Sequence, residues 1–443
     1  MLVLRKIYKE MMMLLQFSVS NYRSIKDTIT FSMLSSLKNE NSFKIKKYNL
    51  LNSAVIYGAN ASGKSNLLRA MAFMGRIVLN KTKVIQSTDT LPHDPFRLSS
   101  STKDASSTFE IVFFIDETKY RYGFELDNTT VYAEWLYADE KGKETKLFYR
   151  DSEDENYVNP QKFKEGFRFF DSKKLEIDIL PNQLFIWECD RTKDGVISKS
   201  ILQWFNRLNL IDGLDHRGYM NYTMNKMEDD SFKKEIINLV KTADIGIEDI
   251  NVNKEEISRE FFEKSPFTDD FINDLIESGN NKIPIIKTIH TVYNEDNIEI
   301  LDNDGKVKKE IFELDNEESV GTQKFFKMSA PILNTLQKGK ILIIDELDAS
   351  LHPMLTKHLI KLFSNKEINT KNAQLIFATH DTNLLKPQIF KRDQIWFTEK
   401  DKYGSTTLYS ILEIKGVRAN DDFEKQYIQG KYGAVPYLGK FEF

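Results

Sequence analysis

The chain has 443 residues, of which 41% are hydrophobic and 29% charged, a profile typical of a globular protein of about two to three domains. Its formal net charge of −4 gives no overall attraction for nucleic acid or anionic lipid, so a basic surface would have to be local. The single cysteine, Cys189, excludes an internal disulfide framework, and no apolar run is long enough to span a bilayer. We therefore expect a cytoplasmic protein without a membrane partner.

The first regular pattern in the chain follows a triple methionine, Met11–Met13. We expect residues 1–12 to be an upstream start or a loose leader. Leu14–Ser20 alternates between apolar and polar residues as a half-buried strand does, and Ile29–Met33 is its expected antiparallel neighbour.

A glycine-rich loop with the pattern G-x-x-x-x-G-K-S follows a short apolar strand and precedes a helix. In such a loop the backbone N–H groups surround phosphate oxygens, the lysine reaches the β- and γ-phosphates, and the last hydroxyl is offered to Mg²⁺. The alternative is a chance Gly/Ser turn, but the strand and helix on either side favour the phosphate site. The predicted phosphate-binding residues are Gly58, Asn60, Ala61, Ser62, Gly63, Lys64, Ser65 and Asn66, with Ser65 also a metal ligand.

From residue 109 the apolar residues recur with a period of two. Three strands at hairpin spacing are predicted over Phe109–Ile115, Tyr120–Leu126 and Thr130–Tyr137, and Lys146–Arg150 adds another. These strands indicate an antiparallel sheet on one flank of the nucleotide core.

The middle of the chain is weakly patterned. Helices are predicted over Ile197–Leu208 and Phe232–Thr242, because each carries an apolar stripe at helical spacing. Residues 250–282 are acidic and predicted to be helical or irregular. Short strands are predicted over Ile283–Tyr293, Asn297–Ile300 and Val307–Leu314.

After residue 340, buried strands and helices alternate again. Lys340–Ile344 and Gln374–Ala378 are continuous apolar runs, as expected for strands that are covered on both faces. A helix is predicted between them over Leu351–Phe363, and strands over Gln394–Phe397 and Thr407–Ile411 follow. One sheet is therefore assembled from both ends of the chain.

These patterns predict an α/β fold with a mixed sheet, an antiparallel β flank and an inserted helical and strand region. The predicted parts are an N-terminal lobe over 13–150 with the phosphate loop and the β flank, an insertion over 151–315 and a C-terminal lobe over 316–443.

Two adjacent carboxylates, Asp345 and Glu346, stand where a buried strand ends. In P-loop enzymes the first acid of such a pair holds Mg²⁺, and the second orients or deprotonates the attacking water. The alternative is a strand-end acidic pair facing solvent. With the glycine-rich loop in the same chain, the catalytic interpretation is favoured, with Asp345 as a metal ligand and Glu346 as the base.

These motifs together resemble those of ABC-type ATPases of the SMC, RecF and OLD kind. Asp345–Glu346 with Leu347–Pro353 resembles their Walker B motif and D-loop, and His380, at the end of a strand, resembles their switch histidine. Asn316–Gln323 resembles their signature loop, although Val320 and Thr322 depart from its pattern.

That resemblance implies a split ABC-type P-loop ATPase, in which 13–150 and 316–443 are the two ATPase lobes. It also implies a composite site in a head-to-tail dimer or higher oligomer. Ser319 and Gly321 of one subunit would close over the ATP bound at Lys64 of the other, with Asp348 at the seam. His380 would contact the γ-phosphate and the attacking water, and ATP and Mg²⁺ are the implied cofactors. The choice between ATP and GTP stays open.

Further segments resemble bacterial AAA-type and ABC-like ATPases of the abortive-infection, RloA-like family, and they span nearly the whole chain. They are Phe17–Ile25, Pro95–Leu98, Tyr120–Phe124, Asp393–Asp401 and Tyr427–Pro436. This resemblance implies an ATPase of anti-phage defence that controls a separately encoded effector, such as a nuclease or toxin. The alternatives are a DNA-binding repair clamp of the RecF and SMC type and a non-enzymatic scaffold that binds ATP without hydrolysing it.

Overall fold

The computed structural model describes residues 11–37, 39–153, 155–212, 217–244, 246–256 and 282–436. These residues form two compact units. The first contains the described residues up to 212 together with 335–349 and 356–436, and the second contains 217–334 and 350–355 where described. Residues 1–10 of the predicted leader lie outside the described residues, whereas Met12 already belongs to the first strand.

The chain up to residue 212 begins with five strands and the helix that follows the glycine-rich loop. These are β1 (Met12–Ser20), β2 (Ile29–Ser32), β3 (Ser42–Ile45), β4 (Tyr48–Leu51), β5 (Ser53–Tyr57) and α1 (Lys64–Val78). The next elements are β6 (Ser107–Ile115), β7 (Thr118–Leu126), β8 (Val131–Asp139), β9 (Glu144–Asp151), β10 (Tyr157–Val158), α2 (Lys164–Phe167), β11 (Phe170–Asp171) and β12 (Glu176–Ile177). This part ends with α3 (Phe185–Asp190), α4 (Val196–Phe205) and β13 (Leu208–Asp212).

The rest of the chain continues with helices and a second group of strands. These are α5 (Arg217–Lys226), α6 (Asp230–Lys241), β14 (Ile247–Glu256), β15 (Lys282–Thr291), β16 (Lys309–Glu313), α7 (Leu314–Glu317) and α8 (Val320–Lys338). The final elements are β17 (Ile341–Asp345), α9 (Pro353–Ser364), β18 (Gln374–Ala378), β19 (Ile395–Lys400), β20 (Thr406–Ser410) and α10 (Phe423–Ile428).

The first unit is organised around a six-stranded mixed sheet in the order β13-β17-β18-β5-β19-β20. All neighbouring pairs are parallel except β19 and β20, which form an antiparallel hairpin at one edge. Every residue of β5, β17 and β18 is buried, as their continuous apolar sequences predict. The prediction of an α/β fold with a mixed sheet assembled from both ends of the chain is confirmed.

A second, seven-stranded sheet in the order β10-β9-β8-β7-β6-β1-β2 is antiparallel throughout. It confirms the predicted β flank and the predicted pairing of the first two strands. Helix α1 contributes Leu67, Met71 and Met74 to a core that also contains Phe109 of this sheet and Ile343 of the mixed sheet. The helix after the phosphate loop is therefore packed between two sheets, which fixes where the loop ends.

Two buried glutamates fasten helices to this core. Glu134 on β8 accepts hydrogen bonds from the Tyr122 hydroxyl at 2.9 Å and from the backbone N–H of Phe185 and Ile186 at the start of α3. Burial raises the pKa of Glu134 to about 7. Glu165 accepts from the first N–H groups of α4, so both helices are capped by carboxylates from other elements.

Three local predictions are wrong. The predicted helix over Ile197–Leu208 ends at Phe205, and residues 208–212 form β13 instead. Residues 250–256 belong to β14, not to a helical or irregular segment, while 257–281 of that prediction lie outside the described residues. Asn297–Ile300 forms only isolated bridges. In the first two cases pairing with a strand later in the chain, β17 for β13 and β15 for β14, decides the conformation.

In the second unit, β14, β15 and β16 form an antiparallel sheet. α7 and α8 follow β16 directly, so the start of α8 is held close to this sheet. None of the helices in the described parts of the chain is long and apolar enough to cross a membrane.

Candidate phosphate-binding and catalytic site

The glycine-rich loop joins β5 to α1, and the two glycines of its G-x-x-x-x-G-K-S pattern are needed for the path of the backbone. Gly63 has φ 110°, a left-handed conformation that side chains rarely adopt, and a Cβ there would lie 2.2 Å from the Thr406 hydroxyl. A Cβ on Gly58 would lie 2.4 Å from the Thr398 carbonyl oxygen. The loop therefore closes tightly against the hairpin of β19 and β20.

Lys64 is the first residue of α1 and is 5% exposed. Its ammonium group donates hydrogen bonds to the carbonyl oxygens of Gly58 at 2.8 Å and Ala59 at 3.1 Å. Burial lowers the pKa of Lys64 to about 8, against the opposing effect of Asp345, Glu346 and Asp348. The lysine is thus folded over the loop whose phosphate ligand it is predicted to bind.

The pKa of Lys64 gives a testable pH dependence. In the free protein Lys64 is charged below a pKa of about 8 and neutral above it, whereas a polyphosphate favours the charged form. Binding above this pH must take up a proton, so nucleotide affinity should fall by up to about tenfold per pH unit there and stay constant below it. Calorimetric titration with a non-hydrolysable ATP analogue at several pH values measures this slope.

Lys64→Arg supplies the control for the pH experiment. A guanidinium stays protonated over this whole range, so the affinity of this variant, although weaker, should not depend on pH. An equal slope in both proteins would show that Lys64 is not the titrating group.

Asp345 ends β17 and is 6% exposed. Among the described residues its buried Oδ1 has no hydrogen-bond partner. A buried carboxylate oxygen without a partner is unfavourable unless a cation or water satisfies it, and oxygen ligands are those that Mg²⁺ prefers. With the half-buried Ser65 hydroxyl on α1, Asp345 fits the role of a Mg²⁺ ligand.

Glu346 follows Asp345 in a left-handed conformation, with φ 53°. Non-glycine residues adopt this conformation rarely, and where they do, it is often at functional sites. The next residue is held to the neighbouring strand, because the Leu347 N–H donates to the Ala378 carbonyl oxygen at 3.1 Å. The chain therefore turns sharply at Glu346, and its side chain lines the same cavity as the phosphate loop.

His380 follows the end of β18, and its backbone N–H donates to the two carboxylate oxygens of Asp348 at 3.3 and 3.4 Å. Burial lowers the pKa of His380, and the charge of Lys64 adds to this, while Asp348, Glu346 and Asp345 oppose it. The predicted D-loop aspartate and switch histidine are thus in direct contact within the first unit.

The phosphate loop, Glu346 and His380 line one cavity of about 430 Å³. It is lined by Asn60, Ala61, Ser62, Gly63, Lys64, Ser65, Asn66, Arg69, Glu346, His380 and Lys400. The structure therefore brings the predicted phosphate loop, base and switch histidine together, although Glu346 lies 281 residues and His380 315 residues after Ser65 in the sequence. Asp345 and Asp348 are not among the lining residues.

The predicted signature residues belong to the second unit. The Ser319 side chain caps α8, accepting a hydrogen bond from the Thr322 N–H at 3.0 Å. A Cβ on Gly321 would lie 3.0 Å from the Ser350 carbonyl oxygen, so this position allows little more than glycine. The preceding residue, Glu318, accepts hydrogen bonds from Thr288 and contacts the His290 ring at 2.8 Å.

The sequence analysis missed a group of hydroxyls that brace the loop. The Ser62 hydroxyl bonds the Thr398 hydroxyl at 2.7 Å, and Thr406 donates to the Ser62 carbonyl oxygen at 2.9 Å. Ser24 bonds both Thr406 and Asn66. Thr398 and Thr406 lie one residue beyond the predicted strands Gln394–Phe397 and Thr407–Ile411, and nothing in these strands indicates that they face the phosphate loop.

A fold with this loop between β5 and α1 and a carboxylate pair at the end of β17 defines the class of P-loop proteins. Residues 53–386 match the family described as "AAA domain, putative AbiEii toxin, Type IV TA system". The chain belongs to this family. No curated protein matches the chain.

Several solved structures are similar to the chain. The SMC head domain from Thermotoga maritima is 13% identical, with a TM-score of 0.40, and the match covers 90% of this chain and 98% of that one. The SmcHead bound to the C-winged helix domain of ScpA is also 13% identical, with a TM-score of 0.42, and the match covers 90% of this chain and 97% of that one. The recombination mediator protein RecF with ATPrS is 13% identical, with a TM-score of 0.34, and the match covers 90% of this chain and 99% of that one. At these TM-scores the likeness alone does not define the fold.

Proposed function

We propose that the protein is a Mg²⁺-dependent ATPase of the ABC type that works as a head-to-tail dimer and controls a partner effector in anti-phage defence. The observation that supports hydrolysis most directly is the cavity that Lys64, Glu346 and His380 line together. A site that only stored a nucleotide would not need a carboxylate at the place where the terminal phosphate is expected.

Each residue has a distinct part in this proposal. The backbone of Gly58–Ser65 and Lys64 bind the phosphates, and Ser65 and Asp345 hold the metal. When bound, Mg²⁺ neutralises charge that develops on the phosphoryl group. Glu346 accepts a proton from the attacking water, and His380, whose lowered pKa favours the neutral ring, contacts the γ-phosphate.

The dimer is proposed because half of the machinery lies in the second unit. Ser319 and Gly321 stand at the start of α8, and a helix N-terminus is suited to a phosphate. In the proposed dimer they close over the nucleotide bound by the partner subunit, and Asp348 lies at the seam. The family description, "AAA domain, putative AbiEii toxin, Type IV TA system", supports a role in abortive infection. In this proposal the partner is a separately encoded nuclease or toxin.

The proposal is tested by measuring phosphate release from ATP. We expect release that needs Mg²⁺ and rises more steeply than linearly with protein concentration, because the active site needs two subunits. Lys64→Ala should reduce nucleotide affinity by about 100-fold, since a buried charge-assisted contact is lost. The exposed Lys366→Ala is the control and should behave as the wild type.

Two results would contradict the proposal. Nucleotide binding without phosphate release at any protein concentration would favour the scaffold alternative. Duplex DNA binding that requires ATP and weakens steeply with salt would favour the repair-clamp alternative, in which the dimer binds DNA and not an effector protein.

A further inference from the structure

The hairpin of β19 and β20 is a rigid platform beside the phosphate loop. Its strands pair with Lys400 opposite Thr406. The turn between them is closed by Asp401, whose carboxylate accepts from the backbone N–H groups of Tyr403 and Ser405, both at 2.8 Å. A side chain at the end of β19 is therefore held in a defined place.

The platform is fastened to the loop by the two threonines described above. Thr398 bonds the Ser62 hydroxyl, and Thr406 bonds the Ser62 carbonyl oxygen. Side chains two residues apart in a strand lie on the same face, so Lys400 emerges on the side that Thr398 presents to the loop. It lines the phosphate cavity there.

The charge of Lys400 is not neutralised by its neighbours. Glu399 lies on the opposite face of the strand, where its carboxylate accepts a hydrogen bond from Tyr409 at 3.3 Å. Within the described part of the chain Lys400 forms no ion pair. The cavity contains three strong cations, Lys64, Arg69 and Lys400, and its lining includes one carboxylate, Glu346.

We infer that Lys400 is a second phosphate-binding lysine, which the edge hairpin brings to the nucleotide opposite Lys64. This inference rests on the proposed nucleotide-binding function. Lys64 reaches the polyphosphate from the helix that follows the loop, whereas Lys400 reaches it from the strand that braces the loop. Thr398 and Thr406, which hold the loop, and Lys400 belong to the same hairpin. Lys400 is therefore in place whenever the hairpin holds the phosphate loop in its closed conformation.

The experiment is calorimetric titration of the full chain with ATPγS and Mg²⁺. Lys400→Gln should weaken binding roughly tenfold or more, because one charge-assisted contact to a phosphate is lost. Lys402→Gln is the matched control: this lysine is in the same hairpin, packs against the Tyr403 ring and does not line the cavity. It should stay within about twofold of the wild type, as surface substitutions usually do.

Lys400→Arg separates loss of charge from loss of structure. It should restore most of the affinity, whereas damage to the hairpin would weaken both Lys400 variants alike. Affinity of Lys400→Gln equal to that of the wild type, together with the expected loss of affinity in Lys64→Ala, would overturn the role of Lys400 alone. Absence of binding in the wild-type protein would overturn this inference and the proposed function together.

Discussion

Replacing Glu346 with glutamine should lower ATP turnover by at least about 100-fold, the usual contribution of a positioned general base. Glutamine keeps the size of the side chain and its place in the cavity but cannot accept the proton of the attacking water. Nucleotide binding should stay close to that of the wild type, because the phosphate loop and Lys64 are unchanged. Steady-state phosphate release and a binding titration measure the two quantities separately.

The same variant should accumulate as a dimer in the presence of ATP. Hydrolysis normally ends the ATP-bound dimer, and without hydrolysis this dimer persists. Size-exclusion chromatography with light scattering, with ATP and with ADP, tests this. Glu367→Gln, in an exposed loop after α9, is the control and should leave turnover and dimerisation unchanged. Unaltered turnover in Glu346→Gln would remove Glu346 from the mechanism.

Mixing two inactive variants should restore activity if the site is shared between subunits. Lys64→Ala lacks a phosphate contact, and Ser319→Arg places a long charged side chain in the signature loop. A mixed dimer carries one intact site, formed by the phosphate loop of the Ser319→Arg subunit and the signature loop of the Lys64→Ala subunit. Random pairing at equal concentrations gives about a quarter of intact sites, so about a quarter of wild-type turnover is expected.

The control for this experiment pairs Lys64→Ala with Glu346→Gln. Both changes lie in the same half of the proposed site, so every site of a mixed dimer is defective and turnover should stay low. Ser319 also caps α8, and loss of the cap lowers helix stability by about 1 kcal/mol. Recovery of activity therefore also shows that the Ser319→Arg chain is folded. Mixed dimers that form without recovering activity would contradict a composite site.

Local sequence patterns predicted much of the first unit. The apolar runs of β5, β17 and β18 predict buried strands by themselves, because a strand covered on both faces needs hydrophobic residues throughout. The glycine-rich loop is equally local, since its conformation depends on glycines at fixed spacing. Both could be predicted without knowing the rest of the chain.

The parts that could not be predicted depend on distant neighbours. β13 is a strand because it pairs in parallel with β17, more than a hundred residues later. The hydroxyls that brace the loop come from residues that lie 336 and 344 positions away from Ser62. No periodicity in one segment contains that information. Lys400 likewise lines the cavity only because the hairpin is bonded to the loop, so its own segment of sequence does not predict this position.

The order of strands in the mixed sheet also has a consequence for biosynthesis. β5 and the phosphate loop are made early, but the two neighbours of β5 in the sheet, β18 and β19, leave the ribosome more than 300 residues later. At a synthesis rate of about 5–20 residues per second that interval is on the order of tens of seconds. The antiparallel strands β6 to β9, by contrast, are linked by short hairpins and can pair as they emerge. The mixed sheet around the phosphate loop is thus among the last parts of the nascent chain to be completed.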